Sequence, residues 1–172
     1  MQAVHPSAPH HARASQWVGL VAWLAVTFAA AVVGSLASIN ASEFYLQLDR
    51  PEWAPPAALF GPVWTVLYLM MGMAAWFVWR EYGWRHAHVA LTVYVVQLVL
   101  NALWSWLFFE WHQGEAAMLD IAVLWGLIAL NLLMFFRAHR VAGLLLVPYL
   151  AWVTFAAALT YTLWQMNPDL LG

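Results

Sequence analysis

Long apolar stretches separated by short charged segments set the pattern of this chain. Uncharged stretches run over residues 14–42, 53–79, 86–109, 121–136 and 141–168. A helix needs about 20 apolar residues to cross the hydrocarbon core of a bilayer, and four of these stretches are long enough as they stand. The stretch at 121–136 reaches that length when it is extended back through Asp120 to residue 116. The pattern therefore predicts five membrane-spanning helices, at about 16–38, 58–79, 87–109, 116–136 and 142–164.

The connections between the predicted spans differ in length. The second, third and fourth are each about five to eight residues long, so neighbouring helices must run antiparallel and close together. The first, at about 39–56, is much longer, and long loops in compact folds tend to be lids or binding segments. No internal repeat is visible, so residues 15–168 are predicted to form one domain. We predict an all-α integral membrane protein, a five-transmembrane-helix bundle with a long proline-rich loop between helices 1 and 2.

Residues 1–14 form a polar tail that carries three histidines, His5, His10 and His11. Three histidines can bind a metal, but nothing in this segment fixes their geometry, so we expect a disordered tail. The span that follows is longer than the apolar core of a secretory signal, so we do not expect a cleavable signal peptide.

Composition and charge narrow the class of protein. The chain is 65% hydrophobic and 8% charged, whereas about 25% of the residues of a soluble domain are charged. Lipid is therefore its expected solvent. The absence of cysteine excludes disulfides and thiolate metal sites. The net charge of −2 argues against a nucleic-acid partner, which would require a basic face.

The distribution of arginine predicts the orientation in the membrane. The first loop, the third loop and the C-terminus together hold only Arg50. The N-terminal tail and the second and fourth loops hold the other five arginines, which are Arg13, Arg80, Arg85, Arg137 and Arg140. Because positive residues favour the cytoplasmic side, the N-terminus is predicted inside, and the C-terminus and first loop outside. The alanine- and tryptophan-rich composition without lysine suggests a bacterial cell membrane.

The first loop combines prolines with a tryptophan. Pro51, Pro55 and Pro56 fix their own φ and bias the residues before them toward extended backbone, so the segment is expected to be stiff but not helical. Such backbone must pack on protein or face water, which places it over the end of the bundle. Trp53 is then either an interfacial anchor or part of a lid. Pro62 falls near the start of the second helix, where a missing N–H is tolerated.

Three predicted helices each carry a stripe, a row of side chains at helical spacing along one face. The stripe of helix two is aromatic and consists of Phe60, Trp64 and Tyr68. That of helix three is polar, with Gln97, Asn101 and Ser105, and Trp104 lies beside it; that of helix five is mixed, with Tyr149, Trp152, Ala156 and Thr160. Such stripes also arise from core packing, and neutral polar groups also join helices to one another. Both interpretations stay open for these positions.

The chemistry missing from the spans is also informative. No histidine, lysine, arginine or glutamate lies deep in a predicted span, so no metal site, no nucleophile–base pair and no catalytic residue is predicted. Asp120 lies in the first turn of its predicted helix, where the helix dipole stabilises a charged carboxylate. We therefore expect it to be a charge at the helix end and not a proton carrier. Ala30, Gly34 and Ser38 form a ridge of small residues that serves either dimerisation or, as we expect, packing within the chain. An aromatic interior with a few neutral polar groups suits a flat, hydrophobic, largely uncharged ligand.

Three tracts resemble one known family. "RPEWAPPAALFGPVWTVLYLMMGMAAWFVW", "QLVLNALWSWLFF" and "VPYLAWVTFAAALTYTLWQMNP" are similar to the TspO/MBR family, the translocator proteins or tryptophan-rich sensory proteins, also called peripheral-type benzodiazepine receptors. The resemblance covers about residues 16–168, and the tract at 51–68 is its most specific part. It implies a five-helix bundle, usually a homodimer, with a ligand pocket under the first loop. It also implies binding of porphyrins, notably protoporphyrin IX, and of benzodiazepine-type drugs.

The resemblance assigns ligand-binding positions to this chain, and they include the stripes found from spacing. The expected set is Trp53, Pro55, Pro56, Phe60, Trp64, Tyr68, Gln97, Asn101, Trp104, Tyr149, Trp152 and Ala156. Two features depart from the family pattern. Trp106 stands where proline is common, which favours a straighter and bulkier end of helix three. No basic residue follows Tyr161, so the expected sterol-recognition pattern is absent.

The resulting hypothesis is a membrane receptor or sensor that binds porphyrins and other flat hydrophobic molecules beneath the first loop. Its role would be regulatory, in a tetrapyrrole or stress response. No cofactor is required, and the porphyrin is a ligand. The expected partners are this small molecule, membrane lipid and a second copy of the chain. Two alternatives stay open: an enzyme for light- and oxygen-dependent porphyrin breakdown, which we do not favour, and a transporter.

Overall fold

The computed structural model of the protein describes residues 13–172, so the predictions for residues 1–12 of the polar tail, including His5, His10 and His11, lie outside the described residues. Residues 13 and 14, which were also assigned to the tail, are already helical. Within that range the helices, in chain order, are α1 (Arg13–Leu36), α2 (Ala41–Gln47), α3 (Phe60–Ser105), α4 (Gly114–Ala138), α5 (Arg140–Met166) and α6 (Pro168–Leu171). A 3₁₀ turn at Ala57–Leu59 leads into α3, and a π-helical turn at Trp106–Glu110 ends it.

Four helical segments of the described chain are long and apolar enough to cross a membrane. They are Gln16–Leu36, Ala57–Glu110, Gly114–Ala138 and Arg140–Met166. The second has 54 residues, more than twice the length that one crossing requires, and it contains the second and third predicted spans. The predicted all-helical membrane fold is therefore confirmed.

The long helix α3 reverses direction at Gly83. This residue has φ 64° and ψ 174°, a backbone conformation that strains any residue with a Cβ atom, so glycine is required here. Residues 60–82 form a first arm and residues 84–105 a second arm. The Tyr68 hydroxyl of the first arm donates a hydrogen bond to Asn101 Oδ1 of the second, so the arms lie side by side and antiparallel. The predicted connection at about 80–86 is thus reduced to one non-helical residue.

A second tight reversal joins α4 to α5 at His139. Its backbone is extended, with φ −150° and ψ 113°, and its Nδ1 accepts a hydrogen bond from the Ala142 N–H of α5 at 3.3 Å. The helices meet so closely here that a Cβ on Gly143 would lie 2.6 Å from Phe136 Cα. This close approach explains the glycine and places α4 and α5 antiparallel along their length.

Helix α1 lies in contact with both arms of α3. Thr27 Oγ1 and Tyr94 Oη are 2.6 Å apart, and the Trp76 indole donates to the Gln16 carbonyl oxygen at 2.8 Å. The core between the helices is apolar and aromatic, with Tyr94, Tyr149 and Phe135 fully buried. The bundle therefore has one continuous apolar core into which a few hydrogen-bonded polar groups are set.

The two ends of the bundle carry different charges. One end is formed by the Gly83 reversal and the α4–α5 turn, which are joined by the Tyr82 hydroxyl donating to the Ala138 carbonyl oxygen at 3.1 Å. Arg80, Arg85, Arg137 and Arg140 belong to this end, whereas Arg50 belongs to the other. The structure thus groups these arginines at one end, and the side of the membrane that this end faces stays a prediction.

The first loop carries a short helix that the sequence pattern did not predict. We call residues 38–57, which contain α2, the lid. Residues 49–56 are not helical, as predicted, and the Ala54 N–H closes a turn on the Pro51 carbonyl oxygen at 3.0 Å. Phe44 and Tyr45 of α2 and the following Leu48 are buried in a second apolar cluster. Its other buried members come from the π-helical turn, α4, α5 and α6: Phe108, Ala117, Leu159, Leu163 and Leu171. The lid is therefore a packed part of the fold.

Candidate functional site

A cavity of about 500 Å³ lies beneath the lid, at the end of the bundle opposite Gly83. Its walls come from α1, both arms of α3, the lid and α5. Most of the lining is apolar or aromatic, with a few hydroxyl groups and one amide: Phe28, Ala31, Val32, Gly34, Ser35, Ser38, Ile39, Ala41, Ser42, Tyr45, Ala57, Phe60, Gly61, Trp64, Thr65, Tyr68, Asn101, Trp104, Ser105, Phe109, Trp152 and Ala156. This volume and lining are typical of a small-molecule site.

Seven of the twelve residues expected to bind a ligand line this cavity. They are Phe60, Trp64, Tyr68, Asn101, Trp104, Trp152 and Ala156. The aromatic ones contact one another: the Phe60 and Trp152 rings meet edge to face at 6.0 Å, and the Trp64 and Tyr68 rings are 5.4 Å apart. The helical spacing seen in the sequence therefore places Phe60, Trp64 and Tyr68 on one wall, and the fold brings the walls from the second arm of α3 and from α5 next to it.

Two of the remaining five lie behind the wall of the cavity. Gln97 is fully buried and its Nε2 donates to Asn131 Oδ1 at 3.4 Å. The Asn131 amide in turn donates to the Ala90 carbonyl oxygen at 2.8 Å. Gln97 thus joins the second arm of α3 to α4, one turn away from the cavity residue Asn101. Tyr149 is also fully buried, and its ring edge packs against Trp64 at 6.2 Å.

The other three belong to the lid and do not line the cavity. Trp53 is 50% exposed and packs edge to face on Phe155 at 5.8 Å. The Pro55 carbonyl oxygen accepts a hydrogen bond from the Tyr45 hydroxyl at 3.0 Å. Pro56 is extended, with φ −64° and ψ 144°, and precedes the 3₁₀ turn that starts α3. The proline segment therefore braces the lid from outside, and Tyr45 and Ala57 supply part of its inner surface.

Sequence reasoning missed the contributions of α1 and α2 to the cavity. Gly34 and Ser38, which belong to the ridge of small residues, line it. A Cβ on Gly34 would lie 3.3 Å from Ser105 Oγ, so the small residue also lets α1 approach the second arm of α3. Tyr45 was missed because α2 has only seven residues. The available signal was the spacing of Phe44, Tyr45 and Leu48, which puts these side chains on one side of a short helix.

The lid is held to the C-terminal end of α5 by one side-chain amide. The Asp49 N–H donates to Asn167 Oδ1 at 2.8 Å, and Asn167 Nδ2 donates to the Asp49 carbonyl oxygen at 2.9 Å. Asn167 Nδ2 also donates to the Leu163 carbonyl oxygen at 2.8 Å. Both backbone groups of one lid residue are thus paired as in a β-bridge. We call these hydrogen bonds between Asn167 and the backbone of Asp49 the Asn167 clasp.

The lid carries a cation over an aromatic ring. The Arg50 guanidinium lies 5.0 Å from the centre of the Tyr45 ring, a distance at which cation–π attraction is favourable. Burial raises the pKa of the Tyr45 hydroxyl above its ordinary value, and nearby Arg50 partly offsets this effect. Tyr45 therefore stays neutral at physiological pH and keeps its hydrogen bond to Pro55.

The cavity walls hold few free hydrogen-bonding groups. The Tyr68 hydroxyl occupies Asn101 Oδ1, so the N–H groups of the Asn101 amide are the part that can donate to a ligand. The indole Nε1 atoms of Trp104 and Trp152 are buried and have no hydrogen-bond partner among the described residues. A buried donor without a partner costs about 1–3 kcal/mol. No group of three or more possible metal-binding side chains stands together in the described part of the chain.

The end of α3 is wider than an α-helix, which corrects the expectation of a straighter end. Trp106 starts a π-helical turn, and its indole donates to the Val33 carbonyl oxygen of α1 at 3.1 Å. Residues five apart lie about 140° apart around an α-helix, so Trp104 and Phe109 would face different ways. Both line the cavity. The wider turn allows this, and such turns are frequent at functional sites.

Comparison with known proteins identifies relatives of this whole domain. Residues 21–165 match the model of the TspO/MBR family. The chain is 43% identical over 130 residues to the tryptophan-rich protein TspO of Chlorobaculum tepidum, covering 74% of this chain and 82% of that protein. It is 34% identical over 151 residues to the tryptophan-rich sensory protein of Cereibacter sphaeroides, covering 88% and 92%. It is 34% identical over 126 residues to the human translocator protein, covering 72% and 75%.

Proposed function

This chain belongs to the TspO/MBR family, and from that premise we propose that it is a membrane receptor for porphyrins of the protoporphyrin IX type and for other flat hydrophobic molecules. Family membership and the spanning helices establish an integral membrane protein and support a sensor or receptor role in general. The ligand class is our proposal, and the aromatic cavity beneath the lid is the observation that carries it.

The shape and lining of the cavity support a flat apolar ligand. Indole and phenyl faces from three elements surround the space, with Trp64 from α3, Trp152 from α5 and Tyr45 from the lid. Removing a ring system from water into such a site stabilises the complex by roughly 25 cal/mol per Å² of apolar surface, and for a ligand already dissolved in lipid the aromatic contacts with the walls supply the preference for the cavity. Ala156 also lines the cavity, and its small side chain leaves room for the ligand.

The unpaired donors support a ligand with acceptor groups at its edge. The buried Trp104 and Trp152 indoles have no acceptor among the described residues, and the Asn101 amide has its oxygen already engaged. A carbonyl or carboxylate oxygen of the ligand at one of these rings would remove the cost of a buried unpaired donor. Arg50 does not line the cavity, but its guanidinium lies over the ring of the lining residue Tyr45, and we propose it as the cation for a propionate group at the edge of the ligand.

The proposal also covers the assembly and the setting of the receptor. It acts as a homodimer in a bacterial cell membrane, with the N-terminus inside and the lid and C-terminus outside, in a tetrapyrrole or stress response. The four arginines at the Gly83 end, against Arg50 alone at the lid end of the described residues, support this orientation. A reporter fused to the C-terminus that is active in the cytoplasm would contradict the orientation.

Titration of the purified full-length protein with protoporphyrin IX, followed by tryptophan fluorescence, tests the function. We expect saturable quenching, and Trp152→Leu should weaken the apparent affinity by roughly tenfold because it removes an aromatic wall. Trp125→Leu is the matched control, since Trp125 is 42% exposed on α4 and does not line the cavity. Quenching that never saturates, or equal effects of the two variants, would contradict the proposal. Light-dependent formation of a porphyrin breakdown product, lost when Trp53, Trp64 or Trp152 is replaced, would indicate the enzyme alternative.

A further inference from the structure

The lid closes one end of the cavity and is held in place by several contacts. The Asn167 clasp pairs both backbone groups of Asp49, and the Tyr45 hydroxyl ties α2 to the proline segment. Phe44 and Leu48 are buried in the second apolar cluster together with Leu171, the last residue of α6. Opening the lid would break these hydrogen bonds and expose the cluster at the same time. The route through the lid is therefore costly.

The side of the cavity between α1 and the first arm of α3 is different. We call the lining residues that are also exposed on the outside of the bundle at this side the lateral window: Val32, Ser35, Gly61 and Thr65. Val32 is 58% exposed although it lines the cavity. A Cβ built on Gly61 would meet no atom within 4 Å. The cavity therefore reaches the outer surface of the bundle here without any movement of the lid.

The surroundings of the lateral window are apolar. Leu36 on α1 shares the face of Val32, Leu69 on α3 shares the face of Thr65, and both leucines are exposed, at 53% and 44%. Such a surface on a spanning helix faces lipid. The window thus opens toward the hydrocarbon side of the membrane, at the level of the last turns of α1 and the first turns of α3.

The two hydroxyl groups at the rim are already satisfied. Ser35 Oγ donates to the Val32 carbonyl oxygen at 2.8 Å, and Thr65 Oγ1 donates to the Gly61 carbonyl oxygen at 2.9 Å. Each hydroxyl is turned back on its own helix, as is usual for serine and threonine in apolar surroundings. An apolar molecule that passes between them breaks no hydrogen bond of the protein.

We propose that the ligand is taken from the membrane and enters and leaves through the lateral window, with the lid closed throughout. This inference rests on the proposed function, because it concerns the route to the same cavity. It identifies the ligand source as the lipid phase, and it makes Gly61 the residue that keeps the route open. A flat hydrophobic molecule already partitions into lipid, so this route avoids returning it to water.

Substitutions at Gly61 test the route. Full-length protein in phosphatidylcholine vesicles is mixed with protoporphyrin IX already dissolved in the lipid, and tryptophan quenching is followed in time. We expect Gly61→Leu and then Gly61→Phe to slow both association and dissociation progressively, by about tenfold or more for phenylalanine. Gly126→Phe is the matched control, because Gly126 is an exposed glycine on α4 whose Cβ would also meet no atom within 4 Å. Asn167→Ala, which breaks the clasp, should change both rates by less than about threefold.

The outcomes separate the route from the function. If the wild-type protein shows no saturable quenching, the proposed function fails. If it binds, but Gly61→Leu and Gly61→Phe exchange ligand at the rate of Gly126→Phe, the lateral route is wrong. Loss of binding at equilibrium by Gly61→Phe, together with wild-type rates in Gly61→Leu, would also overturn the route. Faster dissociation in Asn167→Ala by tenfold or more would instead place the route at the lid.

Discussion

Replacing Asn167 with alanine is expected to loosen the lid and leave the bundle intact. The side-chain amide makes two hydrogen bonds to the backbone of Asp49, at 2.8 and 2.9 Å. Each contributes about 0.5–1.5 kcal/mol net, so the loss of both lowers the free energy of opening the lid by about 1–3 kcal/mol. Since about 1.4 kcal/mol is a factor of ten, the population of the open lid should rise by roughly 5- to 150-fold.

Amide hydrogen exchange in α2 measures this opening. The Phe44 N–H bonds to the Asn40 carbonyl oxygen at 3.0 Å and keeps that partner in the variant, so faster exchange there reports opening of the lid as a unit. Asn40→Ala is the control, because Asn40 is exposed in the same lid and its side chain makes no capping hydrogen bond. Unchanged exchange of α2 in Asn167→Ala, or an equal increase in Asn40→Ala, would refute the assignment of the clasp.

Two further substitutions test the packing that positions the cavity. Tyr68→Phe leaves the Asn101 oxygen buried without its donor and should lower the free energy of unfolding, measured in mixed detergent micelles, by about 1–3 kcal/mol. Tyr161→Phe is the control, because Tyr161 is 52% exposed, and an equal loss of stability in this variant would contradict the prediction. Gly143→Ala places a Cβ 2.6 Å from Phe136 Cα and should destabilise by about 1–3 kcal/mol. Gly126→Ala, in open space, should be neutral or stabilising by up to about 1 kcal/mol, so equal loss in both would refute the close-packing argument.

The membrane fold was largely predictable, because the length of an apolar segment follows from the thickness of the bilayer. The predicted spans at 116–136 and 142–164 lie inside Gly114–Ala138 and Arg140–Met166, within two residues at each end. The continuation of α3 through residues 80–86 was not predictable from hydropathy, since charged residues there read as a loop. The reversal depends on the positive φ of one residue, and the glycine at position 83 was the one feature of the sequence that could have indicated it. The family resemblance stated from three tracts is confirmed by the match over residues 21–165.

The candidate site was predicted in part, for reasons that individual residues make clear. Phe60, Trp64 and Tyr68 share one face of a helix, so a single cavity wall followed from spacing alone. Spacing cannot say which neighbour a polar side chain meets. Asn101 lines the cavity, whereas Gln97, one turn away, reaches Asn131 of α4. The ligand-binding roles of all twelve expected residues stay predictions until binding is measured.

The position of Trp104 suggests how a ligand in the cavity affects the rest of the molecule. Its indole packs against both the main core and the second apolar cluster, and it stacks on Phe108 at 5.4 Å with an angle of 9° between the rings. Phe108 in turn meets Phe44 of the lid edge to face at 6.3 Å. In the proposed receptor, a ligand that displaced Trp104 would therefore disturb a stack of rings that ends in the lid. Because the lid has its own apolar cluster and clasp, we propose that such a shift alters the packing of the lid while the clasp stays closed and the spanning helices stay folded.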